Sequence, residues 1–261
     1  MPSPELAIDL ERVVKSFGSE RVLDEANLQV PAGAITVLLG PSGAGKTVTI
    51  KHILGLLRPT SGFVRVEGRN LSKMTDDELN ELRRGMSAVL QGTLPFSCGL
   101  FFSLDVFENV AFPLRQRTRL SEERIAEVTM TRLGEVGLRE QARFMPEQLS
   151  SGMAKRVALA RALALEARIV IIDDFDSGID GVRLALLCDL IRDTQRTTGA
   201  TYLLTTHHMA AARKLADHAA VIHEGRVVAN GPAAEVFNSS EPVSRQLVTG
   251  AATGPIKLRD F

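Results

Sequence analysis

Apolar and polar positions change period along this chain, and each change marks an element. Leu6 to Val14 alternates like a half-buried strand. Val22 to Val30 does the same and stops at Pro31-Ala32-Gly33. Ile35 to Leu39 is an apolar run that reads as a buried strand, and a helix-compatible segment follows from Lys46 to Leu57. Phe63 to Val66 reads as a short strand closed by Gly68, and the short strands on either side of 35–57 look antiparallel. Thr75 to Arg84 is a polar helix behind a Thr-Asp-Asp start. Ala88 to Leu90 is a short strand ending at Gln91, and Gly92 to Leu104, rich in Gly, Pro, Ser and Phe, reads as a loop.

Helical spacing returns over Val106 to Arg117 and over Ser121 to Val136, the second opened by Ser121-Glu122-Glu123. Met153 to Leu165 is an Ala/Leu/Arg helix after a Ser-Ser-Gly turn. Ile169 to Ile172 is an apolar strand running into Asp173-Asp174. A helix over Leu184 to Thr197, a strand over Thr201 to Thr205 and a helix over Met209 to Ala216 follow. Ala219 to Ile222 and Arg226 to Val228 flank a His-Glu-Gly turn, a hairpin signal. Residues beyond about 238 read as a polar tail. Strands alternating with helices predict an α/β fold with a mostly parallel sheet and an antiparallel N-terminal β region. There is no internal repeat and no low-complexity stretch.

Composition narrows the class. The 261 residues suit one α/β domain or two small ones. Lys plus Arg equals Asp plus Glu at 31 each, so the formal net charge of zero predicts no nucleic-acid partner. Cys98 and Cys188 lie far apart, without metal-like spacing, and suit packing in a reducing compartment. No apolar run approaches the ~20 residues that span a bilayer, and Met1 to Leu10 lacks the apolar core of a signal peptide. A soluble, cytoplasmic chain is expected, one that would serve a membrane only through a partner.

The strand-to-helix junction carries the chemistry. Gly40-Pro41-Ser42-Gly43-Ala44-Gly45-Lys46-Thr47 matches the phosphate-loop pattern G-x-x-x-x-G-K-[ST] at every fixed position. Glycines let the loop wrap a polyphosphate so that backbone N–H groups point at its oxygens, and the helix adds its positive end. Lys46 can then neutralise the β/γ-phosphates, and the Thr47 hydroxyl can hold Mg2+. Asp173 follows four apolar residues, which puts its carboxylate at the carboxyl edge of the sheet, where nucleotides bind. A nucleoside triphosphate ligand is expected.

Further along the chain, Leu149-Ser150-Ser151-Gly152-Met153 resembles the LSGGQ signature of ATP-binding cassette (ABC) ATPases. Ile169 to Asp174 looks like their Walker B strand and Ser177-Gly178-Ile179-Asp180 like their D-loop. Thr206-His207 looks like the switch histidine, Gln91 stands at the Q-loop position, and Phe17 at the aromatic position that stacks on adenine. The resemblance covers residues 6–248 and implies a P-loop NTPase core of RecA-like type. In that plan 6–91 and 162–238 form the nucleotide-binding α/β core, 92–161 an inserted α-helical signature subdomain, and 239–261 a C-terminal tail. It further implies ATP and Mg2+ as ligands. Phe17, Gly40 to Thr47, Asp173, Ser150 and Gly152 would bind nucleotide, with Thr47, Gln91 and Asp173 at the metal. Asp174, His207 and Gln91 would serve hydrolysis. In the family the signature meets the γ-phosphate of the opposite subunit, so ATP is sandwiched in a homodimer that opens on hydrolysis. His52, His218 and His223 read as packing or surface residues, and His208 has no second and third ligand to make a metal site.

Within the family the chain is most similar to the ATPases of Mce/Mla-type lipid transporters. The segments Leu71 to Gln91, Gly99 to Phe102 and Val106 to Leu114 carry this, together with Met153 in place of the usual glutamine. Arg245-Gln246-Leu247 and Gly254-Pro255-Ile256 add to it, and the tail is expected to pack on the second subunit or to be a disordered end. The implied partners are integral-membrane permease subunits and Mce-type lipid-binding subunits, with the chain peripheral on the inner face of the cell membrane. Four features depart from the pattern. Gly92 to Cys98 is several residues longer, Ser151 replaces a glycine, Asp174 stands where the catalytic glutamate belongs, and Phe175-Asp176 replaces Pro-Thr. Asp174 raises an alternative, a clamp that binds ATP but hydrolyses weakly, or an importer ATPase for another cargo. Phe96, Phe101 and Phe102 fit either a helical core or an exposed docking patch, core slightly more readily.

Overall fold

The computed structural model describes residues 5–90 and 99–257; Gln91, Phe96 and Cys98 lie outside the described residues. The chain forms two compact units, one from residues up to 81 and from 201 onward, the other from 82 to 200. In chain order the first begins with β1 (Leu6–Phe17), β2 (Glu20–Pro31), β3 (Ile35–Leu39), α1 (Lys46–Ile53), β4 (Ser61–Val66) and β5 (Arg69–Asn70). The helix α2 (Asp76–Arg84) carries the chain over the boundary. The second unit holds β6 (Met86–Val89), α3 (Val106–Arg117), α4 (Glu122–Glu135), α5 (Ser151–Ala164), β7 (Ile169–Ile172) and α6 (Gly181–Thr198). The first unit resumes with β8 (Thr201–Thr205), α7 (Met209–Leu215), β9 (His218–His223), β10 (Arg226–Pro232), α8 (Ala233–Phe237) and α9 (Pro242–Thr249).

In the first unit β1 pairs antiparallel with β2 and β4, so Leu10 lies opposite both Leu28 and Val64. All three are buried on the inner face, although register shifts such as those between Leu10 and Val13 break the alternation along β1. A second layer is parallel: β3 pairs with β8 on one side and β9 on the other, and β10 closes the edge antiparallel to β9. Every residue of β3 and β8 is buried, Thr36 within β3 and the threonines at the ends of β8 included, as both faces of a covered parallel sheet require. In the second unit β6 and β7 pair in parallel, and α3, α4 and α5 bury Val110, Leu114, Ile125, Leu133, Val157 and Leu163. The α/β class, the antiparallel N-terminal region and the mostly parallel sheet thus stand as the pattern predicted.

Several elements differ in their ends from the sequence reading, and one helix was not expected. α1 stops at Ile53, short of Leu57, because the amide of Gly55 closes back on the His52 carbonyl and Gly55 turns left-handed at φ 66°. α5 starts at Ser151, two residues early, with Ser150 capping it by accepting from the Met153 amide at 3.2 Å. The polar tail contains α9, capped by the Glu241 carboxylate, which accepts from the Val243 and Ser244 amides. The buried side chain of Gln246 then holds residues 251–256, donating to Ala251 and Ile256 carbonyls and accepting from the Ile256 amide at 2.7 Å.

Two histidines of the first unit sit where charge is unwelcome. Burial pushes His52 below the ordinary imidazole value of 6.5, and the Lys15 ammonium adds to this against the pull of the Val48 carbonyl. Burial also lowers His218, only partly offset by Glu235. His52 Nε2 and His218 Nδ1 are buried without a hydrogen-bond partner. The folded chain therefore resists protons that the unfolded chain takes up once pH falls below about 6.5. Their contribution is full above that value and is lost as pH falls through the lowered folded values. The urea midpoint should drop between pH 7.5 and pH 5.5, and His52→Gln should narrow the drop; an equal drop in both chains would remove His52 from this role.

Candidate nucleotide site

The register of the parallel strands sets up the candidate residues of the first unit. Leu38 pairs with Thr205, so the loop after β3 and the Thr206-His207 step after β8 leave the same edge of the sheet. Residues 40–45 make the turn between β3 and α1, and Ser42 and Gly43 are exposed at its tip. β9 supports the loop from below: a Cβ on Gly40 would meet the Ile222 carbonyl oxygen at 2.3 Å, so no other residue fits. The turn after β9 adds a brace, with the Gly225 amide donating to the Ala44 carbonyl at 3.2 Å and the Asp24 amide to the Gly225 carbonyl at 3.0 Å. Arg226 Nε holds the Asp24 carboxylate at 2.8 Å, which with Arg21 keeps that carboxyl below its usual range.

Gly45 caps α1 in a left-handed conformation at φ 107°, and Lys46 follows as the first helical residue. Its ammonium is buried and donates to the Gly40 and Pro41 carbonyls at 2.7 and 2.9 Å. Lysine, exposed loop tip and helix N-terminus therefore share one place, which is what a phosphate chain requires. Thr47 follows Lys46 on the same turn and is half-buried. Phe17 ends β1 and is 48% exposed, with the Lys15 ammonium 5.1 Å from the ring centre, so it lies outside the core. His207 is exposed just past β8. His208 is the N-cap of α7, its ring accepting from the Ala211 amide at 3.4 Å, which accounts for a residue the sequence left without a task.

The second unit carries candidate residues of its own. The pairing of Val89 with Ile172 and the Asp173 amide bonding the Val89 carbonyl at 2.8 Å place Asp173 at the carboxyl end of β7. Asp173 is buried at 3% exposure. Asp174 follows in a left-handed backbone, φ 57°, which aspartate tolerates better than most residues. Lys155 of α5 reaches it: the ammonium donates to the Asp174 carbonyl at 2.7 Å and lies 3.3 Å from its Oδ2. Phe175, in place of the usual proline, is buried beside them. These groups line a cavity of about 20 Å3, wide enough for one water.

Ser150, Ser151 and Gly152 form the start of the 14-residue helix α5, where the N-terminal dipole favours an anion. Gly152 is pressed against the D-loop, since a Cβ there would meet the Gly178 carbonyl oxygen at 2.6 Å. Signature and D-loop are thus packed together within one chain. Gln91 lies outside the described residues. Phe101 and Phe102 are 45% and 41% exposed, so the expectation that they are core is corrected. Phe101 meets Phe112 edge to face at 5.1 Å, and the Arg161 guanidinium lies over Phe101. Beneath them sequence reasoning missed an anchor: the fully buried Asn109 amide bonds the Phe101 amide and the Phe101, Leu104 and Asp105 carbonyls. No group of three or more metal-binding His, Cys, Asp or Glu side chains occurs among the described residues. No helix among them is long and apolar enough to cross a membrane.

Comparison with known proteins shows the family and the fold. The family model described as ABC transporter matches residues 23–177. The chain is 39% identical to the probable ribonucleotide transport ATP-binding protein Mkl of Mycobacterium leprae, over 98% of this chain and 72% of Mkl. It is 36% identical to the intermembrane phospholipid transport system ATP-binding protein MlaF of Escherichia coli, over 97% of this chain and 92% of MlaF. Among solved structures, the dimeric ATP-binding cassette MJ0796 with ADP and Pi bound superposes at a TM-score of 0.79. It is 29% identical, over 87% of this chain and 98% of that one.

Proposed function

Because the chain belongs to the ABC transporter ATPase family, we propose that it powers a transporter moving phospholipid or another lipid. The observation that carries the cargo is the match to MlaF along nearly the whole of both chains. Residues 6–248 act as one nucleotide-binding subunit, and the tail from 239 serves assembly. Phe17 stacks on adenine, the loop amides from Gly40 to Thr47 hold the phosphates, and Lys46 leaves its Gly40 and Pro41 carbonyls for the β/γ-phosphates. Thr47, Asp173 and Gln91 would hold Mg2+ through the hard oxygen ligands it prefers, and the ion would supply charge neutralisation at the phosphates. Asp174 accepts a proton from the attacking water, and His207 donates to the γ-phosphate. Ser150 and the amide of Gly152 receive the γ-phosphate of a second copy, so that ATP holds two chains together.

The chain works from the inner face of the membrane, docked on permease subunits through the exposed Phe101, Phe102 and Phe112, with Mce-type subunits in the assembly. Purification of the assembled complex from membranes, followed by mass spectrometry of bound small molecules, tests this. Phospholipid retained with a multi-pass permease is the expected result. A second reading has its own support, since Mkl is described as a ribonucleotide transport protein. Nucleotide retained as cargo, with no lipid, would replace the lipid reading.

A further inference from the structure

Lys155 belongs to none of the roles above, yet it is the side chain that grips the hydrolytic carboxylate. Its ammonium donates to the Asp174 carbonyl at 2.7 Å and stands 3.3 Å from Asp174 Oδ2. Both side chains are about 15% exposed, at 14% and 15%, so the pair is screened little by solvent. Burying an ammonium is unfavourable unless it is partnered, and here the carbonyl and carboxylate of one residue supply partners. That residue holds a left-handed backbone at φ 57°, a conformation that persists in non-glycine residues where the surroundings fix it. The lysine bond and the unusual φ act on the same residue.

Three facts meet there. Aspartate is one methylene shorter than the family's glutamate, so a carboxylate in the ordinary backbone would fall short of the water by on the order of 1 Å. The left-handed turn re-aims the carboxylate from the backbone instead. The water-sized cavity lined by Lys155, Asp173, Asp174 and Phe175 lies at this turn. We infer that Lys155 is a positioning residue for hydrolysis, which clamps the Asp174 turn and so lets an aspartate act as base where the family uses glutamate. The clamp also has a direction. Lys155 stands on α5, the helix that begins at the signature residues Ser150 to Gly152, so a shift of that helix start moves the base in the same chain.

This inference rests on the reading of Asp174 as the base, and the test separates the two. ATP turnover, KM for ATP, ATP affinity and the thermal unfolding midpoint are measured for the full chain and for Lys155→Met, Lys155→Arg and Asp174→Asn. Lys155→Met keeps the stem and removes the donor. It should lower kcat at least tenfold with KM, ATP affinity and unfolding midpoint essentially unchanged, and Lys155→Arg should recover part of the loss. Asp174→Asn inactive with Lys155→Met within twofold of the parent would overturn the inference and leave Asp174 in place. A parallel loss of unfolding midpoint, ATP affinity and kcat in Lys155→Met, without recovery in Lys155→Arg, would also overturn it and make Lys155 a structural residue. Parent-like turnover by Asp174→Asn would remove Asp174 as base, and Lys155 with it.

Discussion

Asp174→Asn is expected to reduce ATP turnover by about 10²-fold or more while ATP binding stays close to the parent. The substitution keeps volume, and asparagine tolerates the left-handed backbone at φ 57° as well as aspartate does. What it removes is the negative oxygen proposed to take the water's proton. The phosphate loop, braced by Ile222 and Gly225, has no part in that change. A steady-state phosphate-release assay beside ATP titration checks both halves. Parent-like turnover would shift the base to Asp176, whose Oδ1 is buried without a hydrogen-bond partner, or to His207.

Lys46→Ala should act on the opposite quantity. In the structure the ammonium is buried and satisfied by two loop carbonyls, so it is already placed over the turn that holds phosphate. Removing a charge-assisted partner of this kind is worth roughly 3 kcal/mol, about a 10²-fold loss of ATP affinity. Isothermal titration should read that loss, with the unfolding midpoint little changed because the loop keeps the bond from the Gly225 amide to the Ala44 carbonyl. Unchanged affinity would take Lys46 out of phosphate binding.

Much of this site was open to reading in the sequence because its scaffold is periodic. β3, β7 and β8 are mainly apolar runs, with Thr36 inside β3 and Thr201 and Thr205 at the ends of β8, and their bounds coincide with the pattern. The loop between Gly40 and Thr47 is a local motif, so chain order alone locates it. α9 escaped because its buried face is small and partly polar, made of Val243, Ser244 and Gln246. Its signal lay in Glu241-Pro242, an acidic cap before proline at the first helical position. The Lys155–Asp174 contact joins residues 19 apart on different elements, and no short-range pattern encodes it. The left-handed turn at Asp174 is likewise a tertiary outcome, visible beforehand only as a shortened carboxylate and an out-of-place phenylalanine. His208, read as no metal ligand for want of a third, is a helix cap, a role its sequence position did not announce. Phe101 and Phe102 look like core by composition; the buried Asn109 holds their loop where both rings stay exposed.

The central claim is that ATP binding joins two copies through the start of α5 and that hydrolysis releases them. Sedimentation of Asp174→Asn, which binds ATP but should not consume it, tests this most directly. The account predicts a monomer without nucleotide and a dimer with ATP and Mg2+, returning to monomer when nucleotide is removed. A monomer under both conditions, and again in the presence of the permease, would contradict it.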